Sequence, residues 1–277
     1  MTNKPFLKWV GGKRQLLADI APLVPKKFTR YIEPFVGGGA VFFHLSDQLT
    51  DKKIPSLIND INPELVNCYQ MVKTQAEDLI SLLKTHRHDK DYYLSIRNLD
   101  RQDGGLGQLS ALERASRFLY LNRTGFNGMY RVNSKGLNNV PFGRYKNPSL
   151  VNEDVLRQAA VALQHTQIQN TSFQDCLDTA GPGDFVYLDP PYVPLNDTSY
   201  FTSYMTNGFD MSDQKALADL VRRLDQRGVT FVASNACVPV VREMYDGFTM
   251  IEVKAKRAIN ANGQKRQAIA ELLITNQ

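Results

Sequence analysis

Residues 184–192 read Asp-Phe-Val-Tyr-Leu-Asp-Pro-Pro-Tyr, a run that tolerates few conformations. Asp184–Leu188 reads as a short apolar strand ending at Asp189. Two consecutive prolines stop a strand and stiffen the turn after it, because each fixes its own φ and restricts the residue before it. Pro190 also lacks an N–H, so its carbonyl is free to point outward. Asp189 sets a carboxylate beside that carbonyl, and Tyr192 adds a flat aromatic face. Two acceptors and one aromatic face suit a planar group bearing an NH2, such as the exocyclic amine of adenine. The lone pair of that amine is delocalised into its ring. Hydrogen bonds from the amine to Asp189 and Pro190 would draw it out of conjugation and stabilise developing positive charge. The alternative is an ordinary proline-rich turn.

Strand-like and helix-like segments alternate around this run. Arg30–Ile32, Pro55–Asn59, Val229–Ala233, Phe248–Val253 and Ala268–Ile274 read as strands. Asn152–Gln164, Val238–Met244 and Ser212–Arg227 read as helices, the last with Ser212 as N-cap and Gly228 after its end. Such alternation predicts an α/β sheet with helices on both faces. The stretch from 61 to 149 breaks it. Leu65–Lys84 has helical periodicity, Asp91–Arg101 reads as another helix, and Ser110 with Glu113 forms a capping box that starts a third. Asn122–Pro148 is mostly loop. This stretch reads as a helical insertion that divides the α/β domain into residues 1–60 and 150–277.

Two glycine-bearing turns flank the early strands. Glu33-Pro34-Phe35-Val36-Gly37-Gly38-Gly39 follows the first strand, where glycines let a ligand approach the backbone. Asp60 ends the next strand, a position from which a carboxylate accepts ribose hydroxyls. A plain tight turn is the alternative. Phe42 stands where a dinucleotide fingerprint requires its third glycine, which disfavours a dehydrogenase. Phe6-Leu7-Lys8-Trp9-Val10-Gly11-Gly12-Lys13 has the Gly-Gly-Lys of a phosphate loop, but Arg14 replaces the needed Ser or Thr. Trp9, the only tryptophan, is either a core residue or one wall of a ligand pocket, with Lys13 pairing a carboxylate.

Charge is concentrated. The chain carries a formal +5. Between Arg114 and Lys146, seven basic residues (Arg114, Arg117, Arg123, Arg131, Lys135, Arg144 and Lys146) occur with no Asp or Glu. Lys254–Arg266 is a second acid-free basic run. Such segments suit a phosphate backbone, or else form a solvated basic face. Pro194–Asp210, with Tyr200, Phe201, Tyr204 and Phe209, is either a loop that closes over a base or a packed Ω-loop. The remaining composition excludes other classes. Hydrophobic residues make up 43% and charged residues 22%, the balance of a globular protein. No apolar run is long enough to span a membrane, and Met1–Trp9 lacks a signal-peptide core. Cys68, Cys176 and Cys237 form no CxxC pair and His44, His86, His88 and His165 show no ligand set, so neither a disulfide framework nor a metal is expected. A reducing cytoplasm is the expected setting.

Phe6–Lys13, Glu33–Gly39, Asp60 and Asp189–Tyr192, in this order, resemble the α-type DNA adenine-N6 methyltransferases. The likeness is nearest to the GATC-specific DNA adenine methylases, solitary or in restriction–modification systems. It covers nearly the whole chain and includes Tyr120-Leu121-Asn122-Arg123 through Asn139-Val140-Pro141-Phe142-Gly143-Arg144-Tyr145. The resemblance implies a Rossmann-like α/β sheet with S-adenosylmethionine as cofactor. Trp9, Lys13, Glu33, Phe35, Gly37, Gly39, Asp60, Ser172, Phe173 and Asp189 would line the cofactor site. Asp189, Pro190, Pro191 and Tyr192 would hold an adenine flipped out of double-stranded DNA, since the target amine is inaccessible within the stack.

Residues 61–149 would then be the target-recognition domain. Arg131 falls where the family reads a guanine, and arginine on guanine is the commonest specific major-groove contact. Lys8 matches a lysine on the other outer guanine, and Met129 and Pro141 match contacts to thymine. Phe126 lies where a ring fills the gap left by the flipped base. Arg123, Asn127, Asn133, Arg144 and Tyr145 complete the expected DNA-binding set. No protein partner is obligatory, and a restriction endonuclease acting on the same site is a possible companion. The alternatives are the same chemistry on another DNA sequence, on a single strand or on RNA, a DNA-binding protein without catalysis, and methylation of a protein glutamine.

Overall fold

The computed structural model describes residues 3–193, 209–256 and 268–277. The aromatic stretch 194–208 and the basic residues of 257–267 lie outside the described residues. Strands β1 (Tyr31–Glu33), β2 (Ser56–Asn59), β3 (Thr166–Gln169), β4 (Phe185–Leu188), β5 (Thr230–Ala236), β6 (Thr249–Lys256) and β7 (Ala268–Thr275) form one sheet in the order β3-β2-β1-β4-β5-β7-β6. The first five are parallel, and β7 runs antiparallel to both β5 and β6. The chain winds outward from β1 to β2 and β3, then returns to lay β4 on the other side of β1. Strand order reverses between β1 and β4. In open α/β sheets, the crevice beyond the carboxyl ends of such a pair is where ligands bind. The glycine turn follows β1 and the Asp-Pro-Pro-Tyr turn follows β4, so the fold brings both motifs to that crevice.

Alternation along the strands divides the core. Tyr31, Phe185, Tyr187, Val232 and Leu273 face one side. Ile32, Val186, Leu188, Phe231 and Leu272 face the other. The connecting helices are α1 (Leu17–Ile20), α2 (Ala40–Asp51), α3 (Pro63–Thr74), α4 (Ala76–Leu83), α5 (Lys90–Arg97), α6 (Ala111–Thr124), α7 (Glu153–Leu163), α8 (Phe173–Asp178), α9 (Met211–Gln226) and α10 (Pro239–Met244). α2 and α7 cover the first face, and Leu65 and Tyr69 of α3, Ile80 of α4 and Phe118 of α6 join the same core. α8, α9 and α10 cover the second face. Tyr93 and Tyr120 centre a smaller cluster under the loop that follows α6.

Several element boundaries differ from expectation. The helix predicted over Leu65–Lys84 is two helices, broken at Gln75 (φ −140°). Asp91–Arg101 divides into α5 and a tight turn at Asn98–Arg101. The Ser110 capping box forms with both hydrogen bonds. Asp210, not Ser212, caps α9: its carboxylate accepts the backbone N–H groups of Ser212 and Asp213. The helix implied after the glycine turn is α2, whereas α1, β3 and α8 go beyond the elements expected from the sequence.

Candidate active site

Lys13 lies just after the first glycine turn and is only 6% exposed. Its ammonium sits 2.7 Å from Asp189 Oδ1, donates to the Gly11 carbonyl at 2.6 Å, and lies 4.6 Å from the centre of the Tyr192 ring. A carboxylate oxygen and an aromatic face therefore already hold a nitrogen cation at the turn. Of the two readings the sequence left open for this segment, one had Lys13 pairing an unspecified carboxylate; in the structure its partner is Asp189. Asp189 Oδ1 also accepts a hydrogen bond from Ser234 Oγ at 2.9 Å.

Buried amides fix the turn from behind. Gln214 Nε2 of α9 donates to the Pro191 carbonyl at 2.6 Å. Asn235 of β5 donates to Gln214 Oε1 and accepts from the Val193 backbone N–H. The Tyr192 phenol donates to Glu271 Oε2 of β7 at 2.7 Å. Sequence reasoning missed Ser234, Asn235, Gln214 and Glu271. Ser-Asn at the carboxyl end of an otherwise apolar strand was the one available signal.

The crevice beside β1 is closely tied. Asp60 Oδ2 accepts the Gly37 N–H at 3.0 Å, and Oδ1 accepts the Asn62 N–H. Asn59 Nδ2 donates to the Pro34 and Thr171 carbonyls, joining the ends of β1, β2 and β3. Gly37 has φ +47°, and a Cβ there would lie 2.7 Å from Trp9 Cδ1. Trp9 thus covers the glycine turn, with its own ring stacked near Phe118 and Tyr130. Phe35, Phe173 and Phe209 form an aromatic group nearby, with Phe35 5.5 Å from Phe173. Ile61, directly after Asp60, is 73% exposed. Ser172 caps α8 by accepting the Asp175 N–H.

Glu33 is buried beneath the turn. It accepts from the Tyr31 phenol at 2.7 Å and from the Phe42 N–H in the first turn of α2. Burial pushes its carboxyl up to about 8, and the nearby charges of Asp189 and Asp60 act in the same direction. A folded-state value above the unfolded one (about 4.3) gives stability that is complete at low pH and lost as pH rises through 8. Glu33→Gln, a neutral isostere, is therefore expected to flatten the fall of melting temperature between about pH 6 and about pH 8.5. Parallel melting curves for both proteins would contradict a protonated Glu33.

The expected DNA-binding residues cluster at the end of α6 and in the loop after it. Phe126 is 47% exposed, and Asn127 adopts φ +56° beside it. Pro141, Arg131 and Arg144 are exposed and Met129 is half-buried. Arg131 Nε donates to Asn139 Oδ1 at 2.7 Å. Lys8 lies 4.7 Å from the Tyr145 ring. Two others face the protein: Arg123 donates to the Phe6 carbonyl and Tyr145 to the Gly125 carbonyl, while the exposed Asn133 closes its own turn by accepting the Lys135 and Leu137 N–H groups. No group of three or more metal-ligating side chains occurs among the described residues, and no described helix is long and apolar enough to cross a membrane.

A mostly parallel seven-stranded sheet of this order, with a glycine turn and the Asp-Pro-Pro-Tyr turn meeting at its switch point, is the Rossmann-like sheet of a methyltransferase. Residues 9–259 match the model of the D12 class N6 adenine-specific DNA methyltransferases. The chain is 44% identical over 277 residues to the Type II methyltransferase M1.LlaDCHI of Lactococcus lactis subsp. cremoris, covering 99% of this chain and 95% of that one. It is 38% identical over 276 residues to the DNA adenine methylase of Vibrio cholerae (98% and 95% covered). It is 36% identical over 271 residues to the DNA adenine methylase of Escherichia coli K12 (98% and 94% covered). The chain belongs to the D12 class family and is an adenine-specific DNA methyltransferase.

Proposed function

We propose that the protein transfers a methyl group from S-adenosylmethionine to N6 of an adenine flipped out of duplex DNA, within the sequence GATC. The observation that carries this reading is the Lys13 ammonium seated on Asp189 and the Tyr192 ring. A site that holds its own amine between a carboxylate and an aromatic face has the polarity to hold the amine of adenine. Binding of the base displaces Lys13 from Asp189. Asp189 and the Pro190 carbonyl then accept the two N–H groups, Tyr192 stacks on the base, and the nitrogen lone pair turns toward the methyl group.

The residues around the crevice fit the cofactor by their chemistry. Bound there, S-adenosylmethionine supplies a methyl group made electrophilic by its sulfonium. Asp60, already oriented by Gly37 and Asn62, has remaining lone pairs for ribose hydroxyls. Ile61 and the Phe35–Phe173 pair offer apolar faces to an adenine ring, and Lys13 released from Asp189 is a cation for a carboxylate. Gly37→Ala puts a Cβ against Trp9 in a left-handed conformation. It is expected to weaken cofactor binding about tenfold while leaving DNA affinity unchanged. Calorimetry with S-adenosylmethionine measures this, and unchanged affinity would remove the glycine turn from the site.

Residues 61–149 carry sequence recognition in this reading, and residues 1–60 and 150–277 carry catalysis. Relatives named DNA adenine methylase, at 36–38% identity, support GATC as the target. Purified protein, S-adenosylmethionine and unmethylated plasmid provide the test. N6-methyladenine is quantified by mass spectrometry and mapped by sequencing. Methylation confined to GATC is expected. Methyladenine at another motif would keep the chemistry and overturn the recognition assignment.

A further inference from the structure

Tyr192 is held by a residue far along the chain. β7 lies between β5 and β6, with Glu271 in register with Ala236 on one side and Val253 on the other. That placement brings the Glu271 carboxylate to the Tyr192 phenol, 2.7 Å away. The phenol is the donor. Burial, followed by the charges of Asp189 and Glu271, raises its pKa well above the usual tyrosine value, so the O–H remains protonated. A hydrogen bond from a neutral phenol to a carboxylate is charge-assisted and shorter than a neutral one. It does two things to the ring. It fixes the plane in which the ring stands, and it pushes electron density from the oxygen into the π face. That same face carries the Lys13 ammonium 4.6 Å from its centre, so it already hosts a cation in the folded protein.

We propose that Glu271 is a positioning residue for methyl transfer, holding Tyr192 and enriching the ring face on which the target amine becomes positive. The inference rests on the reading of Tyr192 as the stacking face for the adenine. As the amine nitrogen bonds to the methyl carbon, the carbon–sulfur bond breaks, its electron pair leaves on the sulfur of S-adenosylhomocysteine, and the nitrogen carries positive charge until its proton passes by way of the Asp189 carboxylate to water. A richer π face stabilises that charge more in the transition state than in the neutral starting amine, which is the condition for a higher rate rather than tighter binding.

The test uses the full chain, S-adenosylmethionine and unmethylated plasmid DNA, with single-turnover methylation as the rate. Affinities for S-adenosylhomocysteine and for DNA are measured separately. Glu271→Ala is expected to slow the methylation step about tenfold, and Glu271→Gln, which keeps an acceptor without charge, about threefold. Both affinities should stay within about twofold, since the effect is confined to the transition state. In a Tyr192→Phe background, which has no phenol to hold, Glu271→Ala should cause no further slowing. Normal rates in both Glu271 variants would overturn the proposal. So would equal slowing by Glu271→Ala with and without the phenol, because the carboxylate would then act on the fold at large. Tyr192→Ala separates the two levels. If Tyr192→Ala methylates at the normal rate, the stacking role itself fails. If it is slow while the Glu271 variants are normal, only the role of Glu271 fails.

Discussion

Asp189→Ala is expected to lower the single-turnover rate of methyl transfer by at least ~10²- to 10³-fold, the cost of deleting a preorganised group that stabilises transition-state charge. DNA affinity should stay within about threefold, because phosphate and base contacts elsewhere set it. The reason lies in the turn. Among the described residues, Asp189 is the one carboxylate paired with the Lys13 nitrogen, and alanine removes it. The turn itself should persist, since Gln214 and Asn235 hold Pro191 and Val193 independently of Asp189. Lys13 retains the Gly11 carbonyl and the Tyr192 ring, so the variant does not strand a buried cation. The exposed residues expected to touch DNA, Phe126, Arg131 and Arg144, lie on a different loop. Rapid-quench methylation and filter binding separate the two effects. A turnover within about tenfold of normal would remove Asp189 from the chemistry.

What the sequence made legible was whatever local chemistry dictates. The Ser110–Glu113 capping box formed because both partners lie within one helical turn. β4 and its turn were legible because two prolines leave few conformations. The break at Gln75 was hidden for a physical reason. Leu65, Cys68, Tyr69 and Val72 of α3 and Leu79, Ile80 and Leu83 of α4 bury themselves in the same core, so hydrophobic periodicity continues across the break. Asp210 and Ser212 are both capping residues, and the carboxylate won because it also closes a reciprocal bond with Asp213. β3 has only four residues, two of them glutamine, and sits at the sheet edge.

The second layer of the site was illegible for a different reason. Nothing local joins Lys13 to Asp189 or Tyr192 to Glu271. Those pairings exist because β4 lies beside β1 and because β7 enters between β5 and β6. Only sheet order creates them, and sheet order is not encoded in any short window of the chain.

Arg131→Ala should relax discrimination at a single base pair by ~1–3 kcal/mol, the value of one good bidentate contact to a base edge. Arg131 is held by its neighbours in the hairpin. Its Nε is held by Asn139 Oδ1, and the Asn139 N–H donates back to the Arg131 carbonyl. Val132 and Asn138 bridge the hairpin between them. The far side is anchored more deeply: the Asn138 N–H donates to Asp100 Oδ2 at 2.7 Å, and the buried Arg117 pairs with the same carboxylate at 2.9 Å. Tyr93 and Arg97 both donate to the Val140 carbonyl. Such anchoring lowers the entropy lost when the side chain meets a base. A phosphate contact needs no comparable preparation, so the two roles separate in a competition assay. Methylation rates on duplexes carrying every single-base change of the target are measured for the wild type and the variant. Loss of preference at one guanine, with other positions unchanged, is the expected pattern. A uniform fall across all duplexes, with a shallower salt dependence, would make Arg131 a phosphate contact and transfer guanine recognition to another residue of the loop.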